Sequence, residues 1–195
     1  MESERKVPDL SASLSSVRYD VILADPPWQY DHDIKGGEVE RHYKTMRLED
    51  VCALDVPGLS HDATVLFLWA TAPKLLEAMR VMEAWGFKYT TCAVWDKLRI
   101  GRGYYFRGQH ELLLVGKRKK TLCPRVPNRW PTSVLQEKRG QHSKKPTVAY
   151  EAIEFMYPEA RRIELFARER RVGWDAWGDE LVTDQRATAR ENAEG

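Results

Sequence analysis

The sequence contains no hydrophobic run long enough to cross a membrane, since a spanning helix needs about 20 consecutive apolar residues. Residues 1–15 are rich in charge and serine and have no apolar centre, so no secretory signal is predicted. Only three cysteines occur, Cys52, Cys92 and Cys123, without the Cys-x-x-Cys spacing of a zinc site. These absences favour a cytoplasmic protein with reduced thiols and no membrane partner.

Further absences disfavour whole classes of enzyme. The five histidines are scattered and show no metal-ligand spacing, so no metal ion is predicted. The glycine-rich fingerprint of nicotinamide-binding folds is missing, and no segment resembles a phosphate-binding loop. The net charge is only +2, which by itself does not indicate a nucleic-acid partner.

The residues that are present predict an ordered α/β domain. The 195 residues include 43% hydrophobic residues and seven tryptophans, enough for a core in a single domain over 1–195. The polar ends, 1–16 and 182–195, are expected to be poorly ordered. Strands are predicted at 17–24, 63–70, 87–95, 110–115 and 161–166, and helices within 48–59, from 71 to 86, and at 146–157. This alternation predicts a sandwich around a mostly parallel sheet, with at most one or two antiparallel strands.

The helix that follows residue 70 has clear signals at both ends. Thr71 is its predicted cap, Pro73 lies in its first turn, and Gly86 ends it. Its buried stripe is predicted to consist of Leu75, Leu76, Met79, Met82 and Ala84.

The most informative segment is an apolar strand that ends in Asp25-Pro26-Pro27-Trp28. Two consecutive prolines stop the strand and remove two backbone donors. The carbonyl groups near Asp25 and Pro26 are therefore expected to face a cleft, beside a carboxylate and a flat indole. Such acceptors suit an aromatic ring that carries an exocyclic amino group. The alternative is an ordinary turn at a strand end, with Trp28 packed in the core.

Seven segments, in this order, resemble the MT-A70 methyltransferases, which move a methyl group from S-adenosylmethionine to the N6 amino group of adenine. They are Asp25-Pro26-Pro27-Trp28, Tyr43-Lys44-Thr45-Met46, Phe67-Leu68-Trp69-Ala70-Thr71, Gln109-His110-Glu111, His142-Ser143-Lys144-Lys145-Pro146, Glu164-Leu165-Phe166-Ala167-Arg168 and Trp174-Asp175-Ala176-Trp177-Gly178. The resemblance covers most of the chain. It implies a Rossmann-like methyltransferase sandwich with a permuted order of motifs, the acceptor motif coming first.

On this resemblance, the catalytic residues are Asp25, Pro26, Pro27 and Trp28. The N6 lone pair of adenine is delocalised into the ring, so acceptors that hold the amino group would activate it, and Asp25 with the Pro26 carbonyl can do this. Trp28 would stack on the base. The methyl donor is a sulfonium that is already activated, so in-line positioning suffices without a metal or a covalent intermediate, and S-adenosylhomocysteine would be the product.

The resemblance also implies a cofactor site made by Asp25, Lys145, Arg168, Asp179, Glu180, Asp9 and Leu10. Lys145 would meet the methionine carboxylate, and Arg168 with the two acids after Gly178 would reach the ribose. The backbone at Asp9 and Leu10 would read the cofactor's adenine. Each residue also has an ordinary alternative: a lysine that precedes a helix, an arginine in a surface ion pair, or solvated acids near the C terminus.

Substrate contacts are predicted at Tyr43, Lys97, Tyr104, Arg107, Lys117 and Lys119. Tyr43 follows from the resemblance, whereas Tyr104 and Arg107 interleave aromatics with a cation as nucleic-acid clefts do. Residues 117–145 contain ten Lys or Arg and one acid, a block that can attract phosphates. Neutralising 117–120 is expected to weaken nucleic-acid binding. A solvated basic loop and tyrosines that merely pack are the alternatives.

The predicted function is therefore methyl transfer from S-adenosylmethionine to N6 of adenine in nucleic acid. DNA is preferred to RNA because the chain shows no appended RNA-binding module. The alternatives are an RNA adenine methyltransferase and a catalytically silent subunit that binds nucleic acid or a partner. The intact Asp25 and Lys145 argue against the silent subunit. The recognition sequence, the strandedness of the substrate and the choice between monomer and homodimer do not follow from the sequence.

Overall fold

The predicted alternation of strands and helices is confirmed by the computed structural model, which describes residues 10, 17–30, 45–103, 105–120, 124, 129–140, 144–179 and 181. The elements within these residues are β1 (Tyr19–Ala24), α1 (Leu48–Cys52), β2 (Ser60–Ala70), α2 (Leu75–Ala84), β3 (Lys88–Asp96), β4 (His110–Lys117), β5 (Val134–Gln136), α3 (Thr147–Met156), β6 (Arg162–Leu165) and β7 (Asp175–Trp177). The chain ends predicted to be poorly ordered lie outside the described residues, apart from Leu10.

The strands form one sheet in the order β5-β3-β4-β2-β1-β6-β7. β4 is antiparallel to both β2 and β3, whereas every other neighbouring pair of described strands is parallel. β1 lies between β2 and β6, with Ala24 opposite both Leu68 and Leu165. The chain therefore leaves β1 and β6 side by side at the carboxyl edge of the sheet, where open α/β sheets bind their ligands.

Both faces of the central strands are covered, which explains why β1 and β2 are almost continuously apolar. On one face, Ile22 and Leu66 pack in a cluster that includes side chains from α1 and α2. On the other face, Leu23 and Phe67 pack in a second cluster with side chains from α3. Burial of each such side chain contributes roughly 1.5–3 kcal/mol. The core therefore fixes the strand ends that carry the polar site.

The helix after β2 differs from the sequence prediction in phase. A 3-10 turn over Ala72–Lys74 precedes α2, and the Thr71 side chain makes no cap hydrogen bond. The predicted stripe is wrong at three positions, because Leu75, Leu76 and Ala84 are exposed, Leu76 by 80%. Met82 is buried as predicted, and the other buried positions are Ala78, Val81 and Trp85. The indole N–H of Trp85 donates to the Val51 carbonyl at 3.0 Å, which rotates this face toward α1.

Two short strands were not predicted. β5 lies within the basic segment that the sequence predicts to be mostly loop, and β7 follows β6 along the edge of the sheet. A strand of three residues is too short to show an alternating pattern, so only its pairing with a neighbour reveals it. Among the described residues, no helix combines the length and apolar character needed to span a membrane.

Candidate active site

Three elements bring charged side chains to the carboxyl edge of the sheet. Asp25 comes directly after β1, and Lys145 lies two residues before α3. Glu111 is at the beginning of β4, and it reaches the same edge because β4 is antiparallel, with Leu112 opposite Ala70 at the end of β2. Residues from distant parts of the chain therefore meet at one place.

These side chains form a row of alternating charge, which we call the charge chain: Asp25, Lys145, Glu111 and Lys97. Lys145 Nζ lies 2.7 Å from Asp25 Oδ2 and 3.2 Å from Glu111 Oε2. The second oxygen of Glu111 lies 2.5 Å from Lys97 Nζ. The side chains of Lys145 and Glu111 are only 11% and 14% exposed. Each buried charge therefore has a partner of opposite sign, as burial requires.

The charge chain favours the ionised forms of two of its members, Lys145 and Glu111. Burial opposes ionisation of Lys145, but the carboxylates of Asp25 and Glu111 hold the pKa of Lys145 above its ordinary value. Burial also opposes ionisation of Glu111, yet the charges of Lys145 and Lys97 and their hydrogen bonds hold the pKa of Glu111 below its ordinary value. At neutral pH Lys145 is therefore protonated and Glu111 is ionised.

Two tryptophans underlie the charge chain. The rings of Trp69 and Trp95 meet edge to face with centroids 6.1 Å apart. Lys145 Nζ lies 5.6 Å from the centroid of Trp69, and Lys97 Nζ lies 5.2 Å from that of Trp95. Both cations are thus held by carboxylates and by aromatic faces. The indole Nε1 of Trp69 is buried and has no hydrogen-bond partner among the described residues.

The turn after Asp25 differs in two ways from the sequence prediction. The carbonyl groups of Pro26 and Pro27 already accept backbone hydrogen bonds. The donors are Trp28 N, at 2.8 Å from the Pro26 oxygen, and Met46 N, at 2.9 Å from the Pro27 oxygen. Each carbonyl oxygen still has a second lone pair. Trp28 is only 8% exposed and packs in the core, and its Nε1 donates to the Trp69 carbonyl at 3.2 Å. The packing alternative thus describes Trp28 in this structure, and its stacking on a base stays a prediction.

Glu164 is a third carboxyl group near the site, in addition to Asp25 and Glu111 of the charge chain. It lies on β6 opposite Leu23, and its Oε1 accepts a hydrogen bond of 2.8 Å from the Tyr150 hydroxyl on α3. Burial, opposed by the Tyr150 hydrogen bond and aided by the negative charge of Asp25, raises the pKa of Glu164 to about 7. Burial and the charge of Glu164 also raise the pKa of Tyr150. The pair is therefore poised to gain or lose a proton near neutral pH.

This environment makes the stability of the protein depend on pH through Glu164. Because the folded-state pKa lies above the ordinary value of 4.5, the contribution of Glu164 to the free energy of unfolding is full below that value and is lost as pH rises through about 7. The loss is at most on the order of 3 kcal/mol, at about 1.4 kcal/mol per pKa unit. Glu164→Gln is expected to remove this loss. The free energy of unfolding of the variant, measured by urea denaturation, should therefore match that of the wild type near pH 5 and exceed it near pH 8.

Glu169→Gln is the matched control for this experiment, because Glu169 is exposed and pairs at the surface with Lys144. Its stability should differ little from that of the wild type at either pH. An advantage of Glu164→Gln that does not grow with pH would contradict the assignment.

The segments that carry the predicted ribose contacts are neighbours in the structure. Arg168 is half-buried and lies beyond the end of β6, and the exposed Asp179 lies beyond the end of β7. Ala167 N donates to the Trp177 carbonyl at 2.9 Å, and a Cβ atom on Gly178 would lie 2.3 Å from the Ala167 carbonyl oxygen. Glycine at 178 is thus what permits this close approach. Glu180 lies outside the described residues.

The remaining predicted contacts are distributed unevenly. Leu10 is buried in the core cluster that contains Trp28, whereas Asp9 lies outside the described residues, as do Tyr43 and Tyr104. Lys97 belongs to the charge chain, and Arg107 is exposed in the loop between β3 and β4.

Lys117 and Lys119 are not brought to the site. Lys117 is opposite Val65, toward the amino end of β2, whereas Leu112 is opposite Ala70 at its carboxyl end. Six residues of strand separate Glu111 from Lys117, a distance of about 20 Å at about 3.3 Å per residue. Lys119 lies farther still and pairs with Asp62 at 3.3 Å. These lysines therefore lie at the opposite edge of the sheet.

Sequence reasoning did not assign a role to Glu111, Glu164 or Trp69. Each nevertheless lies within a segment that carries the family resemblance. For the two acids a signal was available, since Glu111 stands at the start of an apolar strand and Glu164 lies within one. An acid is buried in such a strand only where it has partners, so its presence there indicates a polar site. The identity of those partners could not be inferred, since they come from other elements.

A mostly parallel sheet with a polar site at its carboxyl edge, together with the permuted motif order, defines the Rossmann-like α/β fold of methyltransferases. The family model MT-A70 matches residues 19–180, and the chain belongs to this family. It is 40% identical over 183 residues to the Type II methyltransferase M.MunI of Mycoplasma sp, covering 84% of this chain and 78% of that protein.

Plant and human relatives match over a smaller part of their length. The chain is 32% identical to the N(6)-adenosine-methyltransferase MT-A70-like protein of Arabidopsis thaliana, over 84% of this chain and 24% of that protein. It is 30% identical to the human N(6)-adenosine-methyltransferase catalytic subunit METTL3, over 84% of this chain and 28% of that protein. The chain thus spans about a quarter of the length of these two relatives.

Proposed function

We propose that this protein transfers a methyl group from S-adenosylmethionine to the N6 amino group of adenine in DNA. The observation that carries the proposal is the position of Asp25. Its carboxylate is held by the buried Lys145 at 2.7 Å, beside the Pro26 carbonyl, at the carboxyl edge of an MT-A70 sheet. An amino group that enters this corner finds acceptors already in place.

The residues at the edge fit S-adenosylmethionine, which supplies a methyl group on a sulfonium when it is bound. Among the described residues, Asp25 and Glu111 use two of the three ammonium donors of Lys145, which leaves one for a ligand carboxylate. The carboxylates of the charge chain suit the positive groups of the same ligand. The buried Nε1 of Trp69 is a further donor without a partner among the described residues. Arg168 and Asp179 would hold the ribose.

Asp25 and Pro26 would hold the adenine amino group. One carboxylate oxygen of Asp25 accepts from Lys145, which leaves the other oxygen for an N–H of the base. The Pro26 carbonyl uses one lone pair for Trp28 N and has a second one for the other N–H. Two acceptors in fixed positions raise the electron density on N6 and orient its lone pair. Asp25 thus positions the amino group and does not need to be a strong base.

DNA is placed before RNA on the basis of the relatives. The relative that the chain matches over 78% of its length is named a type II methyltransferase, a term used for enzymes that act on DNA. The relatives named for N(6)-adenosine match over about a quarter of their length. RNA is therefore the second candidate substrate.

The test is methyl transfer from labelled S-adenosylmethionine to single-stranded DNA, duplex DNA and RNA, with the products identified as nucleosides by mass spectrometry. N6-methyldeoxyadenosine is the expected product. N6-methyladenosine from RNA alone would favour the second substrate. If no nucleic acid is methylated and S-adenosylmethionine does not raise the melting temperature, the protein is a silent member of the family.

We infer that exposed arginines beside the site supply phosphate contacts in place of Lys117 and Lys119. Arg99 and Arg107 are exposed on the loop that leaves the site edge, whereas Lys117 and Lys119 lie at the opposite edge. Replacing both arginines by glutamine should make the plot of log binding constant against log salt concentration less steep. The magnitude of its negative slope should decrease by roughly 0.7–0.9 per lost contact. The same change at Lys117 and Lys119 is the matched control and should leave the slope nearly unchanged. Fluorescence anisotropy with labelled DNA measures the salt dependence of binding for both variants. A larger effect of the lysine pair would favour Lys117 and Lys119 as the phosphate contacts, as the sequence predicts.

A further inference from the structure

The loop between β3 and β4 forms an arm, defined here as residues 97–109, of which the structure describes every residue except Tyr104. Backbone hydrogen bonds connect its two sides: Lys97 N to Gln109 O at 2.9 Å, Gly101 N to Gly108 O at 2.8 Å, and Gly108 N to Arg102 O at 3.1 Å. The β3–β4 hairpin therefore continues beyond the sheet. It projects from the edge that carries the charge chain.

Glycines allow the two sides of the arm to approach each other. A Cβ atom on Gly103 would lie 2.2 Å from the Phe106 carbonyl oxygen, and one on Gly108 would lie 2.8 Å from the Arg102 carbonyl oxygen. Real Cβ atoms do not occupy such positions, so the turn at the tip requires glycine. Tyr105 has a φ of 52°, which is uncommon for a residue other than glycine. The tip therefore has a specific conformation that places Tyr105 and Phe106 outward.

The arm is strongly basic. Residues 97–109 contain Lys97, Arg99, Arg102 and Arg107 and no acid. Lys97 pairs with Glu111, and Arg99 and Arg107 are exposed on the arm. Such a surface is complementary to a polyanion, and arginine in particular pairs with phosphate groups.

The tip of the arm is apolar. Phe106 is 85% exposed and Tyr105 is fully exposed, and Ile100 is also exposed on the side of the arm. Large aromatic side chains exposed together on an ordered backbone mark a surface that contacts a partner. Aromatic rings flanked by arginines suit the stacked bases and phosphates of a nucleic acid.

The base of the arm is tied directly to the site. Asp96 Oδ1 accepts hydrogen bonds from Gln109 Nε2 at 2.8 Å and from Leu98 N at 2.9 Å. Lys97, the first residue of the arm, and Glu111, two residues after its end, belong to the charge chain. Five residues separate Glu111 from Phe106, so the tip reaches up to about 17 Å from the site. This reach exceeds the depth of either groove of DNA, about 7.5–8.5 Å.

We propose that Tyr105 and Phe106 form a wedge that enters the base stack of duplex DNA while the target adenine is turned out toward Asp25. The inference rests on the proposed function and adds the substrate form, a duplex. An adenine inside a duplex cannot reach Asp25, so it must leave the stack, and the aromatic tip fills the space that it vacates. The arginines of the arm hold the phosphates on either side.

The first test compares native and heat-denatured genomic DNA as methyl acceptors, which requires no knowledge of the recognition sequence. The double variant Tyr105→Ala, Phe106→Ala should lower the rate on native DNA by roughly tenfold or more and change the rate on denatured DNA by less than about twofold. Leu76→Ala is the matched control, because Leu76 is an equally exposed apolar residue outside the arm. Equal losses on both substrates would overturn the wedge.

The second test does not depend on methyl transfer. Permanganate oxidises thymines that are unstacked, so wild-type protein bound to duplex DNA with S-adenosylhomocysteine should raise thymine reactivity, and the double variant should not. If adenine methylation fails while this difference persists, the proposed function is lost and the wedge stands. If methylation succeeds but bound duplex shows no increase, the wedge is overturned and the function stands.

The third measurement addresses a protein partner for the same tip. One outcome in light scattering is a dimer for the wild type and a monomer for the double variant. In that case the aromatic tip contacts a second copy of this chain, and the wedge is overturned. An unchanged mass in the variant supports a tip that is reserved for DNA.

Discussion

Replacing Lys145 by methionine is expected to lower the free energy of unfolding by about 3–5 kcal/mol and to abolish methyl transfer. The methionine removes the cation that Asp25 and Glu111 share. Glu111 keeps Lys97 as a partner, whereas the carboxylate of Asp25 loses the cation that compensates it. Removing one partner from a buried ion pair costs about this much because the remaining charge is uncompensated. For a domain of this size, the melting temperature should fall by on the order of 10 °C.

The neighbouring residue provides the matched control. Lys144 is 59% exposed and pairs with Glu169, which is 67% exposed. Such a surface pair contributes about 0–1 kcal/mol, so Lys144→Met should retain both stability and activity. Thermal unfolding and labelled-methyl transfer on the two variants make the comparison. Equal behaviour of the two lysine variants would show that the charge chain does not hold the site together.

The loss of stability in Lys145→Met is expected to depend on pH. Glu111 has a folded-state pKa below the ordinary value of 4.5, so its stabilising contribution is present above that value and is lost as pH falls through the lower folded-state pKa. Part of this contribution comes from Lys145. The difference in stability between wild type and Lys145→Met should therefore be largest near neutral pH and shrink on acidification. A difference that grows in acid would contradict this origin.

Asp25→Asn is expected to lower the rate of methyl transfer by about 10²–10³ while the protein remains folded. Asparagine is similar in size, and Lys145 keeps its second partner, Glu111. The variant loses the carboxylate charge and one of the two fixed acceptors for the adenine amino group. Loss of one preorganised hydrogen-bonding group at a reacting centre costs about this factor.

The control for Asp25→Asn is the same substitution at the other end of the same strand. Asp20 lies on β1 and bonds to His61 and to Arg161 N, at the edge away from the site. Asp20→Asn should leave the rate within about twofold of wild type, since surface changes of this kind have small effects. Rates are measured with labelled S-adenosylmethionine, and its binding is measured separately by calorimetry. The affinity for S-adenosylmethionine could fall enough to account for the whole loss of rate. That result would show that Asp25 acts in cofactor binding and not in activation of the substrate.

The strongest sequence predictions were those with a local physical cause. The strand before Asp25 is apolar on both faces and is stopped by two prolines, and β1 ends at Ala24 as a result. The apolar run before Thr71 predicted a strand buried on both faces, and β2 is almost fully buried. The α/β class and the mostly parallel sheet follow from the spacing of such runs, and the topology confirms both.

The errors arose where a side chain had two satisfactory environments. The stripe of α2 was misplaced, because Leu76 is exposed whereas Ala78 is buried in the core cluster that also contains Val51 of α1. Trp28 likewise suits either a base or the core, and in the structure the carbonyl of Trp69 provides the acceptor that its indole N–H needs in the core. Propensity and periodicity do not distinguish such alternatives, because the deciding atom lies on another strand.

The sequence by itself determined the family, the strand that ends at Asp25, and the presence of carboxylate, lysine and arginine in the segments that make the site. Only the tertiary structure decided which of them meet. The antiparallel direction of β4 brings Glu111 to Lys145 and carries Lys117 about 20 Å away, to the opposite edge. Strand direction depends on pairing between distant segments, and a single sequence contains no local signal for it.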